Sequence, residues 1–290
     1  MDTEHWKILL TAIEKGSLCA AGEALDYTVS GISRSVAALE KEMGFPLLYR
    51  SKQGVTPTPA CEQLLPDVRE LLFAQSKIEQ TAAGICGYEQ GTIGIGTAYR
   101  YYYPWITAVT SAFHEQHPGV QFHIVNGIST DLVQQLEHHR LDFCIVSARE
   151  GKHGWLPLCR DPLLAIVPAA HPLAKRKSVP LELLLPEPYI QTCPGQDGDT
   201  TRFFARRGVT PDVQFTTMDI QATYAMVGAG MGYSIGNHLN SNSGDPAVVH
   251  LNLDPPEMIE IGIACHNEPP PAAEAFLKFI RSEIHEGKIR

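Results

Sequence analysis

Apolar residues recur at helical spacing through about the first ninety positions. Trp6, Leu9, Leu10 and Ile13 stand at i, i+3, i+4 and i+7, which is one face of a helix. Gly16 follows where such a helix ends. Ser17 is placed to cap a short second helix, Leu18 to Leu25, whose Ala20 and Ala21 allow close approach of a neighbour. Asp26-Tyr27-Thr28 makes a turn, and Thr28 caps a third helix reaching about Glu42. Its buried stripe is expected to be Val29, Ile32, Val36 and Leu39; Ser30, Ser33, Arg34 and Ala37 fall elsewhere, and Gly44 stops it. Two short extended runs then flank the polar tip Arg50-Ser51-Lys52-Gln53-Gly54, a hairpin signal. Thr58-Pro59 opens a long helix to about Gly84–Gly87. Its stripe of Leu64, Val68, Leu71, Gln75, Ile78, Ala82 and Ile85 steps alternately by four and three, the seam of a two-helix coiled coil. Pro66 is expected to bend that helix. Packing of the helix on its own domain is the alternative.

From Gly91 the texture changes to alternating strands and helices. Strands are expected at Thr92–Gly96, Val120–Val125, Asp142–Val146, Leu163–Val167, Tyr189–Thr192, Val213–Thr216 and Ile259–Cys265. Helices are expected at Tyr103–Gln116, Asp131–His138, Thr201–Arg207, Ile220–Gly228 and Ala272–Ile284. Such alternation is the signature of a parallel α/β sheet. Two α/β lobes joined by crossing strands near 161–167 and 259–266 account for the order.

Composition narrows the function. The chain has 290 residues, 44 % apolar and 19 % charged, enough for packed cores and about two domains. Net charge is -9, so nucleic-acid binding has to come from a local patch. The N-terminus lacks a charged n-region and an apolar h-region, and no apolar run approaches a membrane span, so a cytoplasmic protein is expected. Seven cysteines without a C-x-x-C pair read as free, mostly buried thiols, with a redox switch as the alternative. Signals for catalysis are weak. His114-Glu115-Gln116-His117 spaces its histidines by three, not the four a zinc helix needs. Gly94-Ile95-Gly96 and Gly228-Ala229-Gly230-Met231-Gly232 lack a dinucleotide fingerprint. No G-x-S-x-G or phosphate-binding loop occurs. No catalytic residue, metal or cofactor is expected.

The second helix, its three-residue turn and the third helix have the geometry that sets a recognition helix in the major groove of DNA. Thr28, Ser30, Ser33 and Arg34 are its candidate contacts, with Arg50 and Lys52 at the hairpin tip suited to flanking phosphates. A plain three-helix bundle is the alternative, because residues 1–60 hold six Lys/Arg against seven Asp/Glu. Residues 16–61 resemble the winged helix–turn–helix of LysR-type transcriptional regulators. The likeness rests on Gly16-Ser17-Leu18, Ala20-Ala21, Ala24-Leu25, Ser30-Gly31-Ile32-Ser33-Arg34, Leu39-Glu40-Lys41-Glu42-Met43-Gly44, Leu47-Leu48-Tyr49-Arg50 and Thr56-Pro57-Thr58. It extends along the chain through Gly119-Val120, Leu141-Asp142-Phe143-Cys144-Ile145 and Pro168-Ala169-Ala170-His171-Pro172-Leu173. Val29 departs from a glutamine common in the family, and Cys61 from a glycine.

The resemblance implies an α/β fold class. A winged helix–turn–helix domain would occupy 1–58 and a linker dimerisation helix 59–90. A two-lobe, periplasmic-binding-protein-like effector domain would follow at 91–290, with lobe I at about 91–162 and 266–290 and lobe II at about 163–265. It also implies a homodimer or homotetramer, a double-stranded operator and a small-molecule effector between the lobes. Ligands of such folds sit outside the carboxyl ends of strands. That places Thr97, Tyr99, Arg100, Ile128, Ser129 and Ser147 on one side, and Gln191, Thr192, Thr217 and Met218 on the other. Hydroxyls plus Arg100, with a helix opening near Ser129, suit a small carboxylate. The alternative function is a small-molecule binding protein whose N-terminal bundle only oligomerises.

Overall fold

The computed structural model describes residues 2–86, 90–240 and 245–285, which form two compact units, one on each side of Glu89. In the first, α1 (Thr3–Lys15) is capped by Asp2, whose side chain accepts from the Glu4 N–H, and ends at Gly16 with φ 63°. Ser17 caps α2 (Leu18–Leu25) and Thr28 caps α3 (Val29–Met43). The hairpin is β1 (Leu48–Ser51) with β2 (Gly54–Pro57), antiparallel. Thr58 then caps α4 (Pro59–Ile85) through the Cys61 N–H, and α4 runs through Pro66. Trp6, Leu9, Ala21, Ile32, Val36, Leu39, Leu47 and Leu65 make the core of this unit.

Two glycines let its pieces close up. A Cβ on Gly54 would lie 2.2 Å from the Gly16 carbonyl oxygen, and one on Gly22 2.6 Å from that of Tyr27. The first contact seats the hairpin on the α1–α2 corner, where Val55 N–H donates to Gly16 O. The second brings the turn before α3 onto α2. Val29 is not in the buried stripe: it opens α3 and is 48 % exposed, because the core is already closed by Ile32, Val36 and Leu39. The seam of α4 divides. Val68 is buried and Leu64 and Leu71 pack on this unit's core, whereas Ile78 and Ile85 are 70 % and 83 % exposed. Gly87, one expected end of the helix, lies outside the described residues.

The second unit runs β3 (Gly91–Thr97), α5 (Tyr103–Gln116), β4 (Val120–Asn126), α6 (Ser129–Glu137), β5 (Phe143–Ser147), β6 (Gly154–Pro168) and β7 (Ser178–Pro180). It continues with β8 (Pro188–Thr192), α7 (Asp199–Arg207), β9 (Asp212–Thr217), α8 (Ile220–Gly228), β10 (Ser234–Asn237), β11 (Val248–Asp254), β12 (Met258–Cys265) and α9 (Pro271–His285). The main sheet has the order β4-β3-β5-β12-β6-β11-β7, with β10 also on β6. β8 and β9 pair in parallel, and Tyr189 bridges to Tyr233 just before β10. β5 is apolar from Phe143 to Val146 and buried throughout, as a strand covered on both faces requires.

One long strand makes the two lobes. The first part of β6, to Pro162, pairs with β12, and the rest, from Leu163, pairs with β10 and β11. The return passes through Asp254–Met258, between β11 and β12. This corrects the expected boundary. β12 pairs with β5 and with the first half of β6, so residues 258–265 belong to lobe I rather than lobe II. The sheet is also mixed rather than parallel: β3 runs parallel to β4 and β5, but β12 is antiparallel to both its neighbours, because it returns against the crossing strand.

Candidate DNA-binding face and effector cleft

α3 presents a polar face to solvent. Thr28 Oγ1 accepts from the Gly31 N–H at 3.1 Å and lies 3.1 Å from Ser30 Oγ, so its hydroxyl fixes the start of the helix. Ser30 and Arg34 are exposed, and Arg34 Nε donates to Ser30 O at 3.3 Å, which draws the guanidinium along the helix. Arg50 Nη1 donates to Ser33 Oγ at 3.0 Å, tying the hairpin to the recognition helix. Glu40 Oε1 accepts from the Leu47 and Leu48 N–H groups and Glu40 Oε2 stands 3.9 Å from Arg50 Nη2. One carboxylate thus sets the hairpin's start and its arginine. Thr28, Ser30, Ser33, Arg34 and Arg50 therefore share one face, while Lys52 is exposed at the hairpin tip.

Between the lobes of the second unit lies a cavity of about 690 Å3. It is lined by Tyr99, Arg100, Ile128, Ser129, Thr192 and Met218 among the expected residues. Four others do not reach it. Thr97 is buried with its hydroxyl turned to the Tyr99 backbone, and Thr217 Oγ1 is bonded to the Asp219 backbone. Gln191 precedes Thr192 on β8, and successive strand residues face opposite ways. Ser147 is buried behind Arg149, whose Nη2 donates to its hydroxyl at 3.2 Å. Tyr102 packs edge-on against Trp105, whereas Tyr101 lines the cavity.

Charge in the cleft was only partly legible. Arg149, Asp131, Asp199 and Asp219 line the cavity beside Arg100. Arg149 stands two residues beyond Ser147 at the carboxyl end of β5, which was the available signal; Asp199 gave none, because the helix it opens was expected to begin at Thr201. Asp219 caps α8 through the Gln221 and Ala222 N–H groups. No side chain caps α6, and Ile128, Ser129, Thr130 and Asp131 bring its N-terminus to the cavity. Burial, then the charge of Asp199, raise the Tyr99 hydroxyl's pKa, keeping it a donor.

The thiols are free. Burial pushes Cys61 up to about 11 and Cys144 up to about 12. Cys193, half-buried in the cleft wall, is raised by burial and by Asp131 and Asp219. A thiol held protonated is a poor nucleophile, which weighs against a redox role for these three. Among the described residues, no group of three or more His, Cys, Asp or Glu is placed to hold a metal, and no helix is long and apolar enough to cross a membrane.

A winged helix–turn–helix unit followed by a two-lobed unit with a cleft defines an effector-binding, DNA-binding protein. The family model described as LysR substrate binding domain matches residues 87–284, and that described as bacterial regulatory helix-turn-helix protein, lysR family, matches residues 3–62. The chain belongs to the LysR family: it is a ligand-responsive DNA-binding transcriptional regulator and not an enzyme. It is 28 % identical over 290 residues to the uncharacterized HTH-type transcriptional regulator YvbU of Bacillus subtilis, covering 97 % of this chain and 98 % of that one. It is 26 % identical to the HTH-type transcriptional regulator CysB of Burkholderia cenocepacia, over 80 % of this chain and 77 % of that one. Its fold is similar to that of full-length OxyR C199D from Pseudomonas aeruginosa, with a TM-score of 0.75 at 20 % identity, covering 98 % and 95 % of the two chains. A solved complex of full-length CbnR with its target DNA has a TM-score of 0.62 at 19 % identity, over 97 % and 99 %.

Proposed function

We propose that the protein works in the cytoplasm as a homodimer or homotetramer. It sets paired α3 helices on a double-stranded operator and changes its grip when a small monocarboxylate enters the cleft. The carrying observation is the N-terminus of α6, which no side chain caps and which faces the 690 Å3 cavity. Its N–H groups suit an acid group. Arg100 lines the same cavity and takes part in none of the ion pairs among the described residues, so it is available to that acid. Asp131 and Asp219 repel a second acid group, which favours a monoacid over a diacid. Self-association is supported by Ile78 and Ile85, exposed one above the other at coiled-coil spacing.

Thermal melts with paired small acids and their amides, benzoate against benzamide among them, test the effector reading. An acid that raises the melting temperature where its amide does not, with the shift lost in Arg100→Ala, supports it. No shift with any monoacid, or equal shifts with the amides, counts against it.

A further inference from the structure

Two arginines converge where the lobes meet. Arg149, from lobe I just after β5, donates from Nη2 to Ser147 Oγ at 3.2 Å, and Arg202, from α7 of lobe II, donates from Nη2 to the same hydroxyl at 3.3 Å. The Arg149 side chain is only 8 % exposed. Like charges so placed repel, and burial followed by the charge of Arg202 lowers the Arg149 pKa. A carboxylate offsets them. Asp199 Oδ1 accepts from Arg202 Nη2 at 2.8 Å and stands 3.9 Å from Arg149 Nη2, while its Oδ2 accepts from Tyr99 OH at 3.5 Å. Asp197 adds a more exposed carboxylate 3.4 Å from Arg149. The lobes are bridged further by Arg202 to Ala148 O at 3.1 Å and Arg149 to Asp197 O at 2.8 Å. Asp199 also stands at a partition, lining both the 690 Å3 cleft and a smaller hollow of about 180 Å3 beside Arg202. Arg149 Nε is buried with no hydrogen-bond partner, and Arg202 Nε, also without a hydrogen bond, stands 3.9 Å from Asp197 Oδ1, so the arginine pair retains donors for a further acceptor.

We propose that Arg149, Arg202, Tyr99 and Ser147 form an anion subsite that Asp199 fills from within the chain, latching the two lobes together, and that an effector acts by bringing its own carboxylate to this subsite in place of Asp199. This deepens the reading of an acid-bearing effector and rests on it for the last step only. The subsite accepts a planar, singly charged anion of carboxylate size. Displacement of Asp199 removes its carboxylate from between the two arginines, leaving the start of α7 held to lobe I by the Arg202–Ala148, Arg202–Ser147 and Asp197 contacts, and joins the smaller hollow to the cleft.

The test needs no effector. Melting of the full-length protein is compared for wild type, Asp199→Gly and Asp199→Asn, with sodium formate or sodium chloride at equal ionic strength. Asp199→Gly leaves a carboxylate-sized gap and is expected to melt about 4 °C lower. Tens of millimolar formate is expected to restore at least about half of that loss, chloride not, with wild type and Asp199→Asn unmoved by either. Wild-type melting in Asp199→Gly, or equal recovery in chloride and formate, overturns the proposal. If the glycine variant does not fold, hydrogen exchange of the asparagine variant decides. Faster exchange than wild type in both Ser147–Arg149 and Asp197–Arg202 supports the latch, and unchanged exchange in either segment refutes it. Because formate is the only ligand used, failure here is separable from failure of the monoacid screen.

Discussion

Val29 carries an apolar side chain at the first position of α3, 48 % exposed. The N-terminal residues of a recognition helix are those that reach base edges. Valine offers no hydrogen bond, so what it can recognise is the methyl group of thymine. Replacing operator thymines by uracil one at a time is expected to weaken wild-type binding at one step by about fourfold, the value of one buried methyl. Val29→Ala is expected to lose that sensitivity, as anisotropy titrations on the two DNAs will show; equal sensitivity in both proteins sinks the assignment. Gly54 is a residue of a different kind. Its φ is 126° and a Cβ would stand 2.2 Å from Gly16 O. Gly54→Ala therefore has to break the Val55-to-Gly16 hydrogen bond or shift the hairpin, at a cost of about 2 kcal/mol or more. Urea unfolding followed by a probe in the first unit should move to a lower midpoint, and DNA affinity should fall with it because Arg50 is carried on that hairpin.

At the scale of elements, the recognition helix and the hairpin act as one surface because Arg50 bonds Ser33 and Glu40 orders both. Arg34→Ala is expected to lower operator affinity and reduce the log–log salt slope by about 1, the release of one phosphate contact, while the melting curve stays in place. A variant that loses affinity with an unchanged slope points to base readout by Arg34 instead. In α4, glutamates at Ile78 and Ile85 leave the core of the first unit untouched and place charge on the outer seam. Sedimentation should report a lighter species for Ile78→Glu/Ile85→Glu; an unchanged mass would put the oligomer contact elsewhere. Helices α1 to α4 were legible because caps and glycines stand at their ends and their buried residues repeat with the helical period. Val29 was misread because periodicity extends a stripe to the helix end, where the neighbours that would bury it have run out. β7 and β10 escaped because each is a short strand, and β11 because its ladder partners on β6 and β7 are distant in sequence. The cleft was half legible for a similar reason: strand ends gave Tyr99, Arg100 and Ser129, but the Arg149–Asp199 pairing joins residues fifty apart through the closure of two lobes.

For the whole molecule, stability against pH carries a signature of buried carboxyls. Asp142 stands just before β5 and its Oδ2 accepts from the Gly94 N–H at 2.7 Å, which holds β3 to β5. Burial outweighs that bond and raises its pKa from 3.8 to about 6. Asp161, on the crossing strand where Oδ2 accepts from the Leu239 N–H, is raised in the same direction by burial. A carboxyl with a raised folded pKa favours the folded state in its protonated form. Its contribution is full below about pH 3.9 and is lost as pH rises through about 6. At pH 7.5 the ionised Asp142 therefore costs up to about 3 kcal/mol relative to the same carboxylate in the unfolded chain. Asp142→Asn keeps an oxygen for Gly94 and removes the charge, but leaves an amide donor to be satisfied at a cost of about 1–2 kcal/mol. The variant should thus melt above wild type at pH 7.5 and at or below it at pH 4.5. The difference in melting temperature should change sign near pH 5 and level off above about pH 6. A difference that is flat across that range would mean that Asp142 titrates at its ordinary value and that solvent reaches the β3–β5 junction.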